Sequence, residues 1–348
     1  MRAFVTGGTG LIGRPLVEAL IQRNWEVAVL AREPTRAKDL EARGARIVQG
    51  DVTRPGFEGA MSRADVVFHA AGWLELGIRD VQRMFDVNLL GTRNVLSMAR
   101  QQGVGRFVFT STAGVFAPTP KDRPATESSP VQVALSDPYV TSKVQAHQLV
   151  VKEMSGDLPV TIVLPAAVFG AHDTGQLGRS LALLVRGKLP RLPKGFGTNT
   201  WTHAEDIAEG HILAATRGRP NQLYLLGDRV LPLAEFYADA ARAAGVKPPT
   251  ANVPIGLARF AARFSEARAR LSDRTPLLSR AALALAAVDL VVDASKARRE
   301  LGWSPHSFEE RLRETMEWYA TTYRDRKVSP PIKPDGRLGQ RTSGVEPP

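Results

Sequence analysis

The segment AFVTGGTGLIG (residues 3–13) joins an apolar strand pattern to the start of an amphipathic helix, and it decides the fold. Within it, Gly7 permits a tight turn, Gly10 lets a pyrophosphate approach the backbone, and Gly13 packs the helix against the strand. The helix presents free N–H groups and the positive end of its dipole to that pyrophosphate. Because a preceding strand and a following helix are the context that this motif requires, the segment predicts dinucleotide binding. The residues expected at the phosphates are Gly7, Thr9, Gly10, Leu11, Ile12 and Gly13.

The first 170 residues alternate β-branched strand patterns with longer helical patterns. Such alternation indicates βαβ units, and hence a parallel sheet that helices cover on both faces. Right-handed crossovers then leave a doubly wound sheet as the expected topology, so the predicted class is α/β with a Rossmann-type sheet. Strands are predicted at 3–6, 26–30, 46–48, 66–69, 106–110 and 160–164, and helices at 12–23, 85–102 and 139–154.

The pattern loosens after Gly170, where a stretch rich in glycine, proline and basic residues is typical of an insertion over the sheet. A helix is predicted at 204–217 and a strand at 223–226, whereas residues 231–322 are mainly helical in pattern. The last helix begins near Ser307, because Glu310 follows it with the spacing of a capping box. We expect a Rossmann domain at 1–170 to which 201–228 return, a smaller, mainly helical substrate-binding region at 171–200 and 229–322, and a flexible tail at 323–348.

The chain has 348 residues with 46 basic and 35 acidic side chains, which gives a formal charge of +11, and it contains no cysteine. Without cysteine, disulfides, zinc ribbons, iron–sulfur clusters and thiol nucleophiles are excluded, and we predict no metal site. The positive charge first suggests a nucleic acid or a membrane surface as partner. Basic residues are, however, spread along helices and through the proline-rich C-terminal segment, so solvated helix faces are favoured over a nucleic-acid interface.

The sequence has no pattern typical of a signal peptide or of a membrane span. Arg2 is followed directly by a buried-strand pattern and not by the apolar core of a leader. The most apolar stretch, residues 281–292, is interrupted by Asp289 and is shorter than the ~20 residues that a spanning helix needs. We therefore expect a cytoplasmic protein with no membrane span and no nucleic-acid partner.

A residue just beyond the end of the second predicted strand selects between the two nicotinamide cofactors. An acidic side chain there binds the ribose hydroxyl of NAD, whereas an arginine accommodates the 2′-phosphate of NADP. Arg32 occupies this position and Arg36 follows it, so NADP(H) is favoured over NAD(H), although two solvated arginines at a helix start would give the same pattern. Asp51, after the third strand, is suited to accept a hydrogen bond from the adenine amino group. The remaining crevice residues are Val52, next to Asp51, and Ala70, Ala71 and Gly72, which follow the fourth predicted strand.

Tyr139 and Lys143 are four residues apart, so a helix would present both side chains on the same face. Asp137 is suited to the N-cap of that helix and Pro138 to its first turn. Because a neighbouring ammonium favours the phenolate, we expect Lys143 to lower the pKa of Tyr139 and make it a usable acid or base for a carbonyl–alcohol pair. The hydroxyl of Thr112, which follows the fifth strand, is suited to donate to the substrate oxygen as charge develops there.

Together with motifs further along the chain, these residues resemble the extended short-chain dehydrogenase/reductases of the NAD-dependent epimerase/dehydratase superfamily. The resemblance covers residues 1–322 and is greatest to the dihydroflavonol-4-reductase-like branch, which includes hopanoid-associated sugar epimerases and 3β-hydroxysteroid dehydrogenase relatives. It rests on the motifs at 6–13, 51, 70–72, 86–92, 110–112, 139–143, 165–170, 293–297 and 301–305.

The resemblance implies an NAD(P)-dependent enzyme in which Thr112, Tyr139 and Lys143 form the catalytic triad. Thr112 departs from the serine that is commoner at its position, but it keeps the hydroxyl. Relatives dimerise through the helices that match 85–102 and 139–154, which leaves a homodimer open for this chain. The other cofactor contacts that the resemblance implies, besides Tyr139 and Lys143, are Asn88, Thr110, Ser111, Pro165, Ala166, Ala167 and Val168.

Three functions remain open. A reductase would transfer a hydride from NADPH to a small-molecule ketone or aldehyde, or oxidise the alcohol, with Tyr139 as general acid or base. A nucleotide-sugar epimerase or dehydratase would recycle the hydride on a tightly bound cofactor. Such enzymes hold the diphosphate of the substrate with what resembles an Arg-Asp pair, and this chain has Asn199 and Thr200 at the matching positions. The missing arginine and the NADP preference favour the reductase, although Arg186 and Arg191 are suited to replace the grip. A non-catalytic NADP-sensing regulator is the third alternative, but such proteins usually lack the Tyr/Lys pair.

Five further polar residues give weaker signals. His203, Glu205 and Asp206 do not have the spacing of two metal ligands on one helical face, and we expect them to open a helix. His69 ends a strand and is interpreted as a packing residue. Asn88 either positions a water or the cofactor, or contacts backbone from inside a helix.

Overall fold

The computed structural model describes residues 1–74, 80–132, 137–272, 276 and 278–324. Its strands in chain order are β1 (Arg2–Thr6), β2 (Glu26–Ala31), β3 (Arg46–Gln49), β4 (Val66–His69), β5 (Arg106–Thr110), β6 (Val160–Pro165), β7 (Ala167–Phe169), β8 (Leu192–Pro193), β9 (Thr198–His203), β10 (Gln222–Leu226), β11 (Arg229–Pro232) and β12 (Ala251–Val253). In the described part of the chain, seven of them form one parallel sheet in the order β10-β6-β5-β4-β1-β2-β3. The predicted Rossmann-type class is therefore confirmed, and each of the six strands expected in the first 170 residues is present.

The sheet changes direction between β1 and β4. The chain runs outward from β1 to β2 and β3 on one side, and then from β4 to β5 and β6 on the other. Thr6 and His69, the last residues of β1 and β4, are paired in register. The loops that follow these two strands therefore diverge and leave a crevice at the carboxyl edge, where doubly wound sheets bind their ligands.

Helices cover both faces of the sheet. The helices in chain order are α1 (Gly13–Gln22), α2 (Lys38–Ala42), α3 (Glu58–Met61), α4 (Val81–Phe85), α5 (Gly91–Gln101), α6 (Pro138–Glu153), α7 (Gln176–Leu184), α8 (Ala204–Thr216), α9 (Leu233–Ala243), α10 (Ile255–Ser272), α11 (Arg280–Ala286), α12 (Ser295–Leu301) and α13 (Phe308–Tyr323). On one face α1 and α8 bury Leu16 and Ile207, and on the other α5 and α6 bury Val95 and Val144. Within the described ranges, no helix combines the length and the apolar character needed to cross a membrane.

The helix predicted at 85–102 differs from the structure in two respects. It starts earlier, because the Asp80 side chain caps α4 by accepting a hydrogen bond (3.0 Å) from the backbone N–H of Arg83. It is also interrupted by a π-helical turn at Asp86–Leu90, which separates α4 from α5. Such turns insert one residue into a helix and frequently occur at functional sites. The side chain that this turn carries inward is Asn88, which is 1% exposed.

We call α7, α9, α10, α11 and α13, with the strands β7, β8, β9, β11 and β12, the cap. Its small sheets have the orders β11-β9-β7 and β12-β8. Its core is aromatic, with the rings of Trp201 and Phe236 stacked at a centroid distance of 3.9 Å and Phe169 packed edge-on against Phe236 and Phe308. The stretch at 171–200, which the sequence indicates as an irregular insertion, therefore contributes α7, β8 and the start of β9 to an ordered unit.

The loop between β5 and α6 is held by a segment far along the chain. Thr119 accepts a backbone hydrogen bond from the N–H of Val291, 3.1 Å away, and its own N–H donates to Asp289. Ala125 likewise donates to the carbonyl of Val291 and accepts from the N–H of Asp293. These pairings attach the loop that follows Thr112 to the segment that leads out of the cap.

The last described helix ends one residue before the described chain does. Its N-cap is confirmed, because Ser307 Oγ accepts a hydrogen bond from the N–H of Glu310 at 3.3 Å. Helix α13 ends at Tyr323, and the remaining part of the predicted tail, 325–348, lies outside the described residues.

Candidate active site

The loop after β1 has a shape that only glycine permits at two positions. Gly7 has φ +73°, and a Cβ on it would lie 2.5 Å from the carbonyl of Ala70, at the end of β4. A Cβ on Gly13 would lie 2.1 Å from the carbonyl oxygen of Gly7. At Gly10, in contrast, the Cβ would meet only that same oxygen, at 3.2 Å. The loop is thus closed against its own chain at Gly7 and Gly13 and more open at Gly10, as a pyrophosphate approaching the backbone requires.

The residues predicted to surround the adenosine lie at the ends of β2 and β3. Arg32 directly follows β2 and is exposed, and so is Arg36, whose guanidinium is 4.0 Å from the carboxylate of Glu33. Asp51 is half-buried and uses Oδ1 to accept hydrogen bonds from the backbone N–H and the hydroxyl of Thr53. Its next neighbour, Val52, is buried against α5. Two exposed basic side chains therefore follow β2, and one carboxylate oxygen of Asp51 is used by a local turn.

The three predicted catalytic side chains meet at the end of β5. Asp137 caps α6 by accepting hydrogen bonds from the N–H groups of Tyr139 (2.9 Å) and Val140, as the sequence predicts. The hydroxyl of Tyr139 lies beside that of Thr112, whose Oγ1 accepts a hydrogen bond from the N–H of Gly114 at 3.1 Å. One turn further along α6, Lys143 Nζ crosses to the end of the same strand.

Lys143 is only 6% exposed, and its ammonium is fixed by the last residues of β5. Nζ donates a hydrogen bond to the carbonyl oxygen of Thr110 at 2.9 Å and lies 5.0 Å from the ring centroid of Phe109. Gly72 is close by, since a Cβ on it would be 4.0 Å from Nζ. The ammonium therefore lies between β5 and the loop that follows β4, inside the crevice.

Burial dominates the titration of the tyrosine and the lysine. It raises the pKa of Tyr139 to about 12, an effect that the hydrogen bond from Thr112 opposes and the charge of Asp137 reinforces. Burial also lowers the pKa of Lys143 to about 8. The pKa of Tyr139 is thus raised and not lowered, in contrast to the prediction, because the loss of water around the phenolate dominates.

Asn88 connects the loop after β4 to the catalytic helix. Its Oδ1 accepts a hydrogen bond from the backbone N–H of Trp73 at 2.7 Å, and its Nδ2 donates to the carbonyl of Trp73 and to Ser142 Oγ. Ser142 in turn donates to the carbonyl of Tyr139 at 2.8 Å. Of the two interpretations of Asn88, contact with backbone is the one that these bonds support.

A buried histidine that the sequence indicated only as a packing residue joins three elements of the crevice. Thr92 Oγ1 donates to the carbonyl of Asn88, so it accepts the 3.0 Å bond from His69 Nε2. His69 Nδ1 is then the acceptor for the hydroxyl of Thr6 at 2.7 Å, and that hydroxyl also accepts from the N–H of Ala71. Burial lowers the pKa of His69 to about 3, so the ring is neutral with its proton on Nε2.

Thr110 and Ser111, predicted as cofactor contacts, direct their hydroxyls to two further histidines. His211 on α8 donates from Nδ1 to the carbonyl of Ile207, so its Nε2 accepts from the hydroxyl of Thr110 at 2.8 Å. Ser111 Oγ is 3.0 Å from Nδ1 of His147, one turn beyond Lys143 on α6. Burial lowers the pKa of both histidines to about 4. These hydroxyls anchor the end of β5 between the two helix layers.

The residues predicted beside the nicotinamide join β6 to β7. Ala166 donates its N–H to the carbonyl of Leu226 at 3.0 Å, which fixes the turn between the main sheet and the cap. The segment lies beside the end of β5, since Thr110 pairs with Val163. Its residues are Pro165, Ala166, Ala167 and Val168.

The polar residues at the start of α8 are structural. His203 caps this helix through Nδ1, which accepts from the N–H of Glu205 at 3.3 Å. Asp206 is 3% exposed and uses Oδ1 to accept hydrogen bonds from the backbone and the ring of His306. Among the described residues, no group of three or more histidine or acidic side chains is arranged to hold a metal ion.

The sequence model of the NAD dependent epimerase/dehydratase family matches residues 3–227. The chain therefore belongs to this family, and it is an enzyme of the extended short-chain dehydrogenase/reductase type, which depends on a nicotinamide cofactor. The match spans β1 to β10, which includes the glycine loop, the three predicted catalytic residues and the turn between β6 and β7.

Two curated relatives and one solved structure illustrate the range of the family. The 4-hydroxy-2-methyl-3-oxo-4-farnesyl-3,4-dihydroquinoline-1-oxide ketoreductase of Stigmatella aurantiaca is 32% identical, over 87% of this chain and 92% of the relative. A putative dihydroflavonol 4-reductase of Synechocystis sp. is 29% identical, over 91% of this chain and 94% of the relative. The UDP-glucose 4-epimerase of Thermus thermophilus, solved in complex with NAD, has a TM-score of 0.74 and 27% identity, over 92% of this chain and 99% of the epimerase.

Proposed function

We propose that this enzyme acts in the cytoplasm as an NADP-dependent oxidoreductase, which reduces a ketone or aldehyde of a small molecule or oxidises the corresponding alcohol. The observation that carries the proposal is the meeting of Thr112, Tyr139 and Lys143 at the end of β5, inside the crevice that the glycine loop borders. The raised pKa of Tyr139 supports it, because the group that protonates a carbonyl oxygen must hold its proton at neutral pH.

The chain's own residues would divide the work between binding and proton transfer. The loop at Gly7–Gly13 and the α1 N-terminus would hold the pyrophosphate of the cofactor, which supplies the hydride when bound. Tyr139 would donate its phenolic proton to the substrate oxygen, while the hydroxyl of Thr112 donates a hydrogen bond to the same oxygen. Lys143, protonated below its pKa of about 8, would stabilise the phenolate that remains on Tyr139.

The residues at the position of the diphosphate grip favour a reductase over a nucleotide-sugar epimerase. Thr200 is 1% exposed, and its hydroxyl accepts a hydrogen bond from the N–H of Val292 at 3.1 Å. Asn199, beside it on β9, is paired with Leu231 of β11. Because the hydroxyl of Thr200 is buried and already hydrogen-bonded to backbone, it is not suited to hold a diphosphate. The name of the ketoreductase relative, which is 32% identical, supports the same choice.

A substrate panel tests the reaction. We expect the purified protein to consume NADPH when it is given a suitable ketone or aldehyde, measured as loss of absorbance by the reduced cofactor. UDP- and dTDP-sugars form the second arm of the panel, with their products separated by chromatography. Conversion of a sugar nucleotide without net consumption of NADPH would contradict the reductase and identify an epimerase or dehydratase instead.

The preference for NADP rests on Arg32, whose exposed guanidinium follows β2. We expect NADPH to bind more tightly than NADH, and the Arg32→Ala variant to lose roughly tenfold in affinity for NADPH alone, since one charge-assisted contact with phosphate is removed. Titration of each cofactor against protein fluorescence measures both affinities. Equal losses for NADH and NADPH would show that Arg32 does not contact the 2′-phosphate.

We also propose that the enzyme is a homodimer that pairs through α4, α5 and α6. A shallow groove crosses α4 and α5, and Leu90 at its edge is 38% exposed. We expect the Leu90→Glu variant to sediment as a monomer while the wild-type chain sediments as a dimer. A wild-type chain that is monomeric at micromolar concentration would contradict this assembly.

A further inference from the structure

Helix α10 of the cap has two apolar faces, of which only one is covered by the residues that the structure describes. Ala258 and Ala262, four residues apart, are buried against the apolar side chain of Leu283. Leu257, Phe260 and Phe264 are 59%, 71% and 68% exposed. Their spacing of three and four residues places them on one stripe of the helix, turned away from the buried alanines.

This stripe contains the three most exposed large apolar side chains in the described part of the chain. A monomeric protein exposes single apolar residues at many places, but a contiguous set with two phenylalanines marks an interaction surface. Phe260 and Phe264 are one turn apart, so their rings cover neighbouring positions along the helix. We therefore expect the stripe to bind an apolar partner.

The charges beside the stripe are basic. Arg259 and Arg263, each next to a phenylalanine in the sequence, are exposed and have no ion-pair partner among the described residues. The acidic residue of α10, Glu266, is already neutralised by Arg280, whose Nε lies 2.9 Å from its carboxylate. The exposed part of the helix thus combines an apolar stripe with unneutralised positive charge.

We propose that α10 docks on the surface of an anionic lipid bilayer. Leu257, Phe260 and Phe264 insert at the boundary between headgroups and acyl chains, while Arg259 and Arg263 contact the lipid phosphates. A helix with phenylalanine and leucine on one face and arginine beside it is the composition that lies in the plane of a membrane interface. The formal charge of +11 on the whole chain adds attraction to the same surface.

Charge distinguishes a lipid surface from a second copy of the chain as the occupant. Pairing two copies through this stripe would bring Arg259 and Arg263 of each close to those of the other, and like charges at an interface oppose association. An anionic bilayer supplies both missing partners, hydrocarbon for the stripe and phosphate for the arginines. This docking goes beyond the proposed reaction and does not depend on it.

Co-sedimentation of the full chain with lipid vesicles tests the proposal. We expect binding to vesicles that contain phosphatidylglycerol and little binding to pure phosphatidylcholine, with weakening at high salt. The Phe260→Ser/Phe264→Ser variant is expected to lose roughly tenfold or more in affinity, because two apolar side chains no longer insert. The Arg259→Gln/Arg263→Gln variant should lose about fivefold for each charge removed.

A matched control comes from α6, where Val151 and Lys152 are an exposed apolar and basic pair on a different surface. The Val151→Ser/Lys152→Glu variant should keep its vesicle affinity, whatever its effect on self-association. Circular dichroism and oxidation of NADPH by each α10 variant show that the fold and the site are intact, since both substituted positions are exposed.

Three results would overturn the proposal. If the phenylalanine variant binds vesicles as well as the wild type, the stripe is not the lipid-binding surface. If that variant instead dissociates a dimer in sedimentation equilibrium, the occupant is a second copy of the chain. If a chain that ends at Arg324 no longer binds vesicles, the lipid-binding element is the segment 325–348.

Discussion

The two sides of the crevice are built by different means. On the phosphate side, after β1, the shape of the loop depends on the lack of side chains, since neither Gly7 nor Gly13 has room for a Cβ. On the chemical side, after β5, the titration of the side chains depends on the exclusion of water, since burial shifts the pKa of Tyr139 upward and that of Lys143 downward. A substitution on the first side should therefore change binding, and one on the second should change turnover and its pH dependence.

The largest expected effect is on the chemical side. Tyr139→Phe removes the proton donor and leaves the packing of the ring, so we expect turnover to fall roughly a thousandfold while cofactor affinity stays nearly unchanged. Tyr237→Phe is the matched control, because burial also raises the pKa of this tyrosine to about 12, within the cap. Steady-state kinetics and a fluorescence titration measure the two quantities. Equal losses of turnover in both variants would remove Tyr139 from the mechanism.

The next effect is on the phosphate side. Gly13→Ala forces a methyl group to within 2.1 Å of the Gly7 carbonyl oxygen, and relief of such overpacking costs about 1–3 kcal/mol. We expect cofactor affinity to weaken roughly ten- to a hundredfold, with a normal pH profile for the turnover that remains. Gly59→Ala serves as control, since nothing lies within 4 Å of its Cβ position. An unchanged Kd for the Gly13 variant would show that the loop adapts.

A third variant affects both sides, because His69 links Thr6 of β1 to Thr92 beside the Asn88 turn. His69→Leu leaves two buried hydroxyls without this partner, and we expect the free energy of unfolding to fall by about 2–3 kcal/mol. Urea denaturation measures that loss. Binding and turnover should decline together in this variant, and a selective loss of either one would show that His69 serves only one side.

The most gradual effect comes from pH. Lys143 loses its proton as pH rises through about 8, so we expect turnover to fall about tenfold for each pH unit above that value. The Lys143→Arg variant stays charged over this range, so its remaining turnover should not fall as the pH rises above 8. A wild-type profile that stays flat up to pH 10 would contradict the assignment.

Stability should move in the opposite direction over the same range. Because burial holds the pKa of Lys143 below its ordinary value of 10.5, the unfolded chain binds this proton more tightly than the folded one. Between about pH 8 and 10.5 the contribution of Lys143 to stability therefore rises with pH, by about 3 kcal/mol in total. Urea unfolding of wild type and Lys143→Met across this window isolates the contribution, so loss of turnover there is separable from loss of fold.

The sequence was a good guide wherever a signal is local. The glycine loop, the six strands predicted in the first 170 residues and the Asp137 N-cap of α6 all follow from residues that are neighbours along the chain. The direction of the pKa shift at Tyr139 does not, because the composition of a helix does not reveal how much water is excluded around it. The positions of Thr112, Tyr139 and Lys143 depend both on the Asp137 N-cap, which fixes the start of α6, and on the sheet, which brings the end of β5 to that helix.

Long-range pairing accounts for what the sequence did not predict. The bond between Thr110 and His211 joins residues 101 positions apart, and that between His69 and Thr92 joins β4 to α5. Strands as short as β7 and β8 are ordered only because distant strands pair with them. A pair of in-register polar residues at the ends of two predicted strands, such as Thr6 and His69, is the one pattern that offered a signal.

The attachment of the Thr119 loop to residues 289–293 has a consequence for synthesis of the chain. The partners Thr119 and Val291 are 172 residues apart, whereas β1 to β4 and the glycine loop are complete within the first 70. Contacts between such distant residues form late, because a large loop must close before they can be made. During translation the nascent chain would therefore acquire the glycine loop and its strands well before the Thr119 loop can be attached. The cap completes the enzyme only after most of the polypeptide has left the ribosome.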